Sequence, residues 1–210
     1  MLDPARVRAN LERVREQIGP DVEICAAVKY VDAGDLPALA EAGVDLVGEN
    51  RAQELLSKQE RHRDLFRAWD FIGAVQSRKL RDIAPNVRLI HSIASESALG
   101  RLEQSPADEV LIQVNVAGEA SKEGVTPEEL GGFIARCPVP VTGLMTMPPS
   151  AERPEQSRPH FARLAELAAE HGLKRLSMGT TQDYEVAAQE GATIVRLGTV
   201  LYAGSDSGSG

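Results

Sequence analysis

Eight short apolar runs, VEICAAV, VDLVG, DFIGAV, RLIHSI, VLIQVNV, VPVTGLM, RLSMG and TIVRLG, alternate along this chain with segments of helical periodicity. Runs of that length read as buried strands, and strands separated by helices build βαβ units around a parallel sheet. Eight such units favour closure into a single (β/α)8 TIM barrel, with an open doubly wound sheet as the other arrangement this order permits. The 210 residues sit at the low end of the range for such a barrel, and no linker or internal repeat divides them. One barrel domain is therefore expected over residues 1–204, with the small polar tail SDSGSG disordered over 205–210.

Capping chemistry marks the helices. Asp3-Pro4 opens one whose stripe is Val7, Leu11, Val14 and Ile18, and Gly19 closes it. This helix precedes the first run, so it is expected to take the outer-ring place that the last helix of a barrel usually fills. Thr126-Pro127-Glu128-Glu129 spells a capping box, and Asp35 is expected to cap a helix that stops at Gly43. The segment from about Pro154 to His171 reads as the longest of the later helices, and another starts near Thr181.

Acidic residues outnumber basic ones by 31 to 23, a net charge of −8 that repels nucleic-acid backbones and anionic lipid. The N-terminus is charged and amphipathic with no apolar core, and no run is long enough to span a bilayer, so a cytoplasmic protein is expected. Cys25 and Cys137 are far apart and read as reduced, packed thiols. The histidines His62, His91, His160 and His171 are scattered without ligand spacing, so no metal is expected.

In barrels the functional residues gather at the C-terminal ends of the strands. The first run stops at Lys29, with Cys25 and Ala27 on the same face and Ile24, Ala26 and Val28 on the other. A lysine amine of ordinary pKa, about 10.4, is protonated at neutral pH, but desolvation at a barrel mouth would favour the neutral nucleophile. On its own such a lysine is more often a solvated surface charge. The seventh run ends in Ser177-Met178-Gly179-Thr180-Thr181 and the eighth in Arg196-Leu197-Gly198-Thr199. Glycine and hydroxyl loops at these two strands suit a phosphate, although the same residues can simply cap a helix and turn the chain. Period two turns Arg196 inward with Ile194, and sets Leu111, Gln113 and Asn115 on one face, so two amides are expected to look into the barrel.

Together these strand ends resemble the pyridoxal-phosphate homeostasis protein family, which is similar to the barrel half of alanine racemase. The resemblance runs through AVKY at Lys29, GEN at Gly48–Asn50, FIGAVQSRK, HSI at His91, QVNVAGEASKEG, GLMTM, SMGTTQD and EGATIVRLGT, nearly the whole chain. It implies that Lys29 carries pyridoxal 5′-phosphate as a Schiff base and that Asn50 and Met145 flank the cofactor. It further implies that Ser177, Gly179, Thr181, Gly198 and Thr199 form the phosphate side and that Arg196 faces the pyridine nitrogen. Three positions depart from the family pattern: Asp70 replaces a common histidine, Arg78 stands in the usual SNK, and Val31 replaces a second lysine. Lys122 matches a lysine that the resemblance connects with cofactor exchange.

Alanine-racemase-like enzymes draw a tyrosine acid/base from a second, all-β domain, which this chain is not expected to have. Lys29 could serve one face of a substrate, with Tyr184, Asp183 or His91 as partners, but these three read more simply as packing, capping and a satisfied strand histidine. The expected function is therefore a monomeric, non-catalytic carrier of pyridoxal phosphate that contacts apo-enzymes transiently. A low-activity amino-acid racemase and a sugar-phosphate lyase or isomerase using Lys29 are the alternatives.

Overall fold

All eight runs become strands of one closed, wholly parallel barrel in sequential order. They are β1 (Glu23–Ala27), β2 (Leu46–Glu49), β3 (Ala68–Phe71), β4 (Leu89–Ile93), β5 (Val110–Gln113), β6 (Val141–Met145), β7 (Arg175–Ser177) and β8 (Ile194–Leu197). β8 pairs with β1, setting Cys25 opposite Arg196 and Ala26 opposite Leu197. The open-sheet alternative is excluded by that closure. The structure is a computed structural model that describes residues 1–118 and 123–202, so the expectations for Lys122 and for the 205–210 tail lie outside the described residues.

Strand alternation separates two packed layers. Cys25, Leu46, Leu89, Leu111, Met145 and Ile194 meet inside the barrel. Their chain neighbours Ile24, Ala26, Val47, Ile90, Val110, Ile112, Leu144 and Val195 face outward into the core beneath the helices. A second inward layer is polar: Asp70, His91, Ser177 and Arg196 share the inward parity and are buried.

The helices are α1 (Pro4–Ile18), α2 (Leu36–Glu41), α3 (Ala52–His62), α4 (Leu80–Ile83), α5 (Glu96–Leu102), α6 (Pro127–Arg136), α7 (Arg158–Glu170), α8 (Tyr184–Gln189) and α9 (Thr199–Tyr202). Asp3 caps α1 by accepting from the Ala5 N–H (3.0 Å). Gly19, at φ +84°, ends it. α1 packs on α2, α8 and α9, and Asn10 donates to the Leu201 carbonyl (3.1 Å), so it fills the outer-ring gap between the last and first units as expected. The capping box at Thr126 forms with both of its bonds. α7 is the longest helix of the second half, preceded by a short 3₁₀ turn.

Several local expectations fail for identifiable reasons. Asp35 does not cap α2; its carboxylate accepts from the Leu2 N–H (3.0 Å) and lies 3.8 Å from the N-terminal ammonium, a longer-range partner invisible to local spacing. β1 stops at Ala27 rather than Lys29, because Val31 folds back to donate to the Val28 carbonyl and opens a turn. β3 starts at Ala68 and ends at Phe71, earlier than the DFIGAV run, and β5 ends at Gln113. The helix expected near Thr181 begins at Tyr184, since Asp183 accepts from the Thr180 N–H (2.8 Å) and holds residues 180–183 in a turn.

Candidate functional site

A cavity of ≈ 720 Å³ opens at the C-terminal mouth of the barrel. Six of the residues singled out from sequence line it: Lys29, Asn50, Thr181, Arg196, Gly198 and Thr199. They come from four different strand ends, so only closure of the barrel could assemble them.

Lys29 sits in the turn after β1 and is exposed, with Nζ 4.6 Å from the centroid of the Tyr30 ring. The burial invoked for its amine is therefore absent, because the strand ends two residues short of it. Val31, in place of a second lysine, is buried in the core. After the adjoining β7 and β8, Thr181 Oγ1 accepts from the Gly198 N–H (3.4 Å), which brings the two strand-end loops together.

Arg196 forms the floor. It is 6% exposed, and its guanidinium donates to Ser177 Oγ (2.6 Å) and to the Thr146 carbonyl (3.0 Å), with Met147 Sδ at 2.8 Å. None of these partners is a carboxylate, and burial pulls its pKa down to about 10. A buried cation without a directly bound anion is costly and makes the cavity floor electropositive.

Three other expected residues stand beneath the cavity and do not line it. Met145 belongs to the interior apolar layer, and the residue two positions on, Met147, reaches the mouth with the same strand parity. Ser177 is fully buried, its hydroxyl bonded between Arg196 and His91 Nδ1 (2.8 Å). Gly179 turns the chain at φ +88°, and a Cβ there would lie 2.5 Å from the Ala187 Cβ. Gln113 donates to the Glu123 carbonyl (3.0 Å), and neither it nor Asn115 reaches the cavity.

The racemase candidates are likewise turned away. Tyr184 donates its hydroxyl to Gln17 of α1 (2.7 Å), His91 is fully buried, and Asp183 holds Thr180. Sequence reasoning missed the pair that braces the mouth. Lys58 donates to Glu49 Oε2 (2.6 Å) and to the carbonyl of Val28 (2.7 Å), just before Lys29, while Glu49 Oε1 accepts from the N–H of Asn50 (2.7 Å). The available signal was Lys58 continuing the apolar stripe of Ala52 and Leu55 on α3. Tyr202, which donates to the Ala27 carbonyl (3.2 Å), also lines the cavity and was not anticipated.

The residues present fit a phosphorylated aromatic aldehyde. An amine, hydroxyls and a glycine N–H stand around the rim and a cation beneath, while the buried Asn50 Oδ1 has no hydrogen-bond partner. Among the described residues no cluster could hold a metal ion and no helix is long and apolar enough to cross a membrane.

A family model described as alanine racemase, N-terminal domain, matches residues 2–206. The chain is 41% identical to the pyridoxal phosphate homeostasis protein of Aquifex aeolicus (strain VF5), across 94% of this chain and 95% of that one. It is 40% identical to the protein of the same description from Pseudomonas aeruginosa, across 98% and 95%. The solved structure of PipY from Synechococcus elongatus PCC7942 with PLP bound superposes with a TM-score of 0.81 at 29% identity, covering 94% of this chain and all of that one.

Proposed function

Since the chain belongs to the pyridoxal phosphate homeostasis protein family, within the alanine racemase N-terminal domain group, we propose that it holds pyridoxal 5′-phosphate reversibly at the barrel mouth, as an intracellular carrier without a reaction of its own. The observation that carries this reading is the single cavity shared by Lys29, Thr181, Gly198, Thr199 and Arg196. When bound, the cofactor supplies an aldehyde with which a primary amine condenses reversibly. Lys29 offers that amine from an exposed turn, so attachment and release need no opening of the core. The Thr181 and Thr199 hydroxyls and the Gly198 N–H suit the phosphate. Arg196, a cation at the floor, would disfavour a proton on a pyridine nitrogen held near it and so weaken the ring as an electron sink. Tyr184 and His91, the side chains expected to serve a second proton step, are turned away from the cavity, which also favours holding over turnover. The protein acts as a monomer that meets apo-enzymes only transiently.

Purified protein incubated with pyridoxal phosphate is expected to gain visible absorption, and borohydride to fix the cofactor on Lys29, read by peptide mass spectrometry. A protein that stays colourless and unlabelled at Lys29 overturns the reading. Turnover of single-enantiomer amino acids well above that of free cofactor, lost in Lys29→Ala, would replace the carrier with a low-activity racemase.

A further inference from the structure

Beneath Arg196 a chain of hydrogen bonds crosses the whole barrel interior. Arg196 Nη1 donates to Ser177 Oγ (2.6 Å), Ser177 Oγ meets His91 Nδ1 (2.8 Å), and His91 Nε2 meets Asp70 Oδ2 (3.1 Å). Asp70 in turn accepts from Arg88 Nη2 (2.7 Å) and Nε (3.0 Å), and Arg88 Nη1 donates to Glu23 (2.9 Å) near the opposite mouth. Ser177, His91 and Asp70 are 0% exposed.

The two ends of this chain impose one order of hydrogens. Arginine can only donate and an ionised carboxylate can only accept. Burial alone would raise the Asp70 carboxyl, but hydrogen bonds from His91 and Arg88 outweigh it and hold the group below its ordinary value. Burial pushes the His91 imidazole down, against the pull of Asp70, so it stays neutral. Neutral His91 must then carry its proton on Nε2 toward Asp70 and accept at Nδ1 from the Ser177 hydroxyl, which leaves the Ser177 oxygen to accept from Arg196. A protonated His91 would instead leave the buried Ser177 hydroxyl hydrogen with no acceptor in the chain.

We propose that Asp70 is a positioning residue of the cofactor site: paired with Arg88 and held in place by it, it orients the Arg196 guanidinium through His91 and Ser177. The inference rests on the cofactor reading above only for what Arg196 faces; the order of hydrogens belongs to the protein alone.

The test pairs a ring-nitrogen measurement with binding. In ¹⁵N NMR of the cofactor-free protein, His91 is expected to be protonated at Nε2 alone, and Asp70→Asn, nearly isosteric, to lose that preference; a fold contact without relay would leave the tautomer unmoved. In pyridoxal phosphate titrations, Asp70→Asn and Ser177→Ala are each expected to weaken binding roughly three- to tenfold, and the double variant no more than the worse single one, as coupled neighbours do. An Nδ1-protonated His91 in the parent, an unchanged tautomer in Asp70→Asn, or additive losses in the double variant overturns the proposal. Should Asp70→Asn fail to fold, Ser177→Ala decides: unchanged affinity in that variant is fatal. A parent chain that takes up no pyridoxal phosphate removes the cofactor role of Asp70 together with the reading of the site, whereas normal uptake with an unmoved tautomer removes only the relay.

Discussion

At the residue scale the site depends on a few side chains that hold backbone in place as much as on those facing the ligand. Gly179 illustrates this: it was read as part of a phosphate loop, yet its constraint is conformational, φ +88° with Ala187 packed where a Cβ would go. Gly179→Ala is expected to cost about 1–3 kcal/mol, a fall in melting temperature of roughly 3–10 °C that thermal denaturation followed by circular dichroism would measure. The buried Lys58–Glu49 pair fixes two neighbouring strand ends at the mouth, at Val28 after β1 and at Asn50 after β2. Lys58→Met strands the Glu49 carboxylate and should destabilise by roughly 3–5 kcal/mol, whereas the double variant with Glu49→Leu recovers much of the loss. Chemical denaturation of the three proteins distinguishes the cases; equal stability of Lys58→Met and the parent would show that the pair does no such bracing.

Among the secondary-structure elements, local chemistry predicted what local chemistry controls. The Asp3 cap, the Gly19 stop and the Thr126 capping box all form, because their partners lie within a few residues. Thr126→Ala removes an acceptor from the α6 N-terminus and is expected to cost about 1 kcal/mol, read from the denaturant midpoint at unchanged slope. Asp35 looks equivalent on paper but serves the N-terminus of the chain, so its cap was misread. Strand existence was legible for all eight runs and strand ends were not: the apolar stretch continues past Ala27 and Phe71, while after Val28 the chain folds into the turn closed by Val31. That shift decides the setting of Lys29, which lies in a turn instead of at the end of a strand.

For the whole molecule, the barrel interior couples stability to acid. Asp70, held below its ordinary pKa, contributes stability that is present above the unfolded value of about 3.9 and lost as pH falls through the folded one. His91, pushed down by burial, stays neutral in the folded chain, so below about pH 6.5 only the unfolded chain takes up that proton and stability declines. Denaturant midpoints are therefore expected to be level between about pH 7 and 8, to fall from about pH 6.5 and to fall again below about pH 4; a profile flat down to pH 5 would contradict the assignment of His91. By itself the sequence determined the number and order of the strands, the faces they present and six of the residues at the mouth, because alternation, capping and strand-end position are properties of neighbouring residues. Only the tertiary structure decided that Ser177 serves Arg196 instead of the cavity, that Met147 lines the mouth while Met145 lies beneath it, and that Asp70, His91, Ser177 and Arg196 join. These contacts are made between β3, β4, β7 and β8, and no spacing along one chain specifies which inward side chains meet once eight strands close.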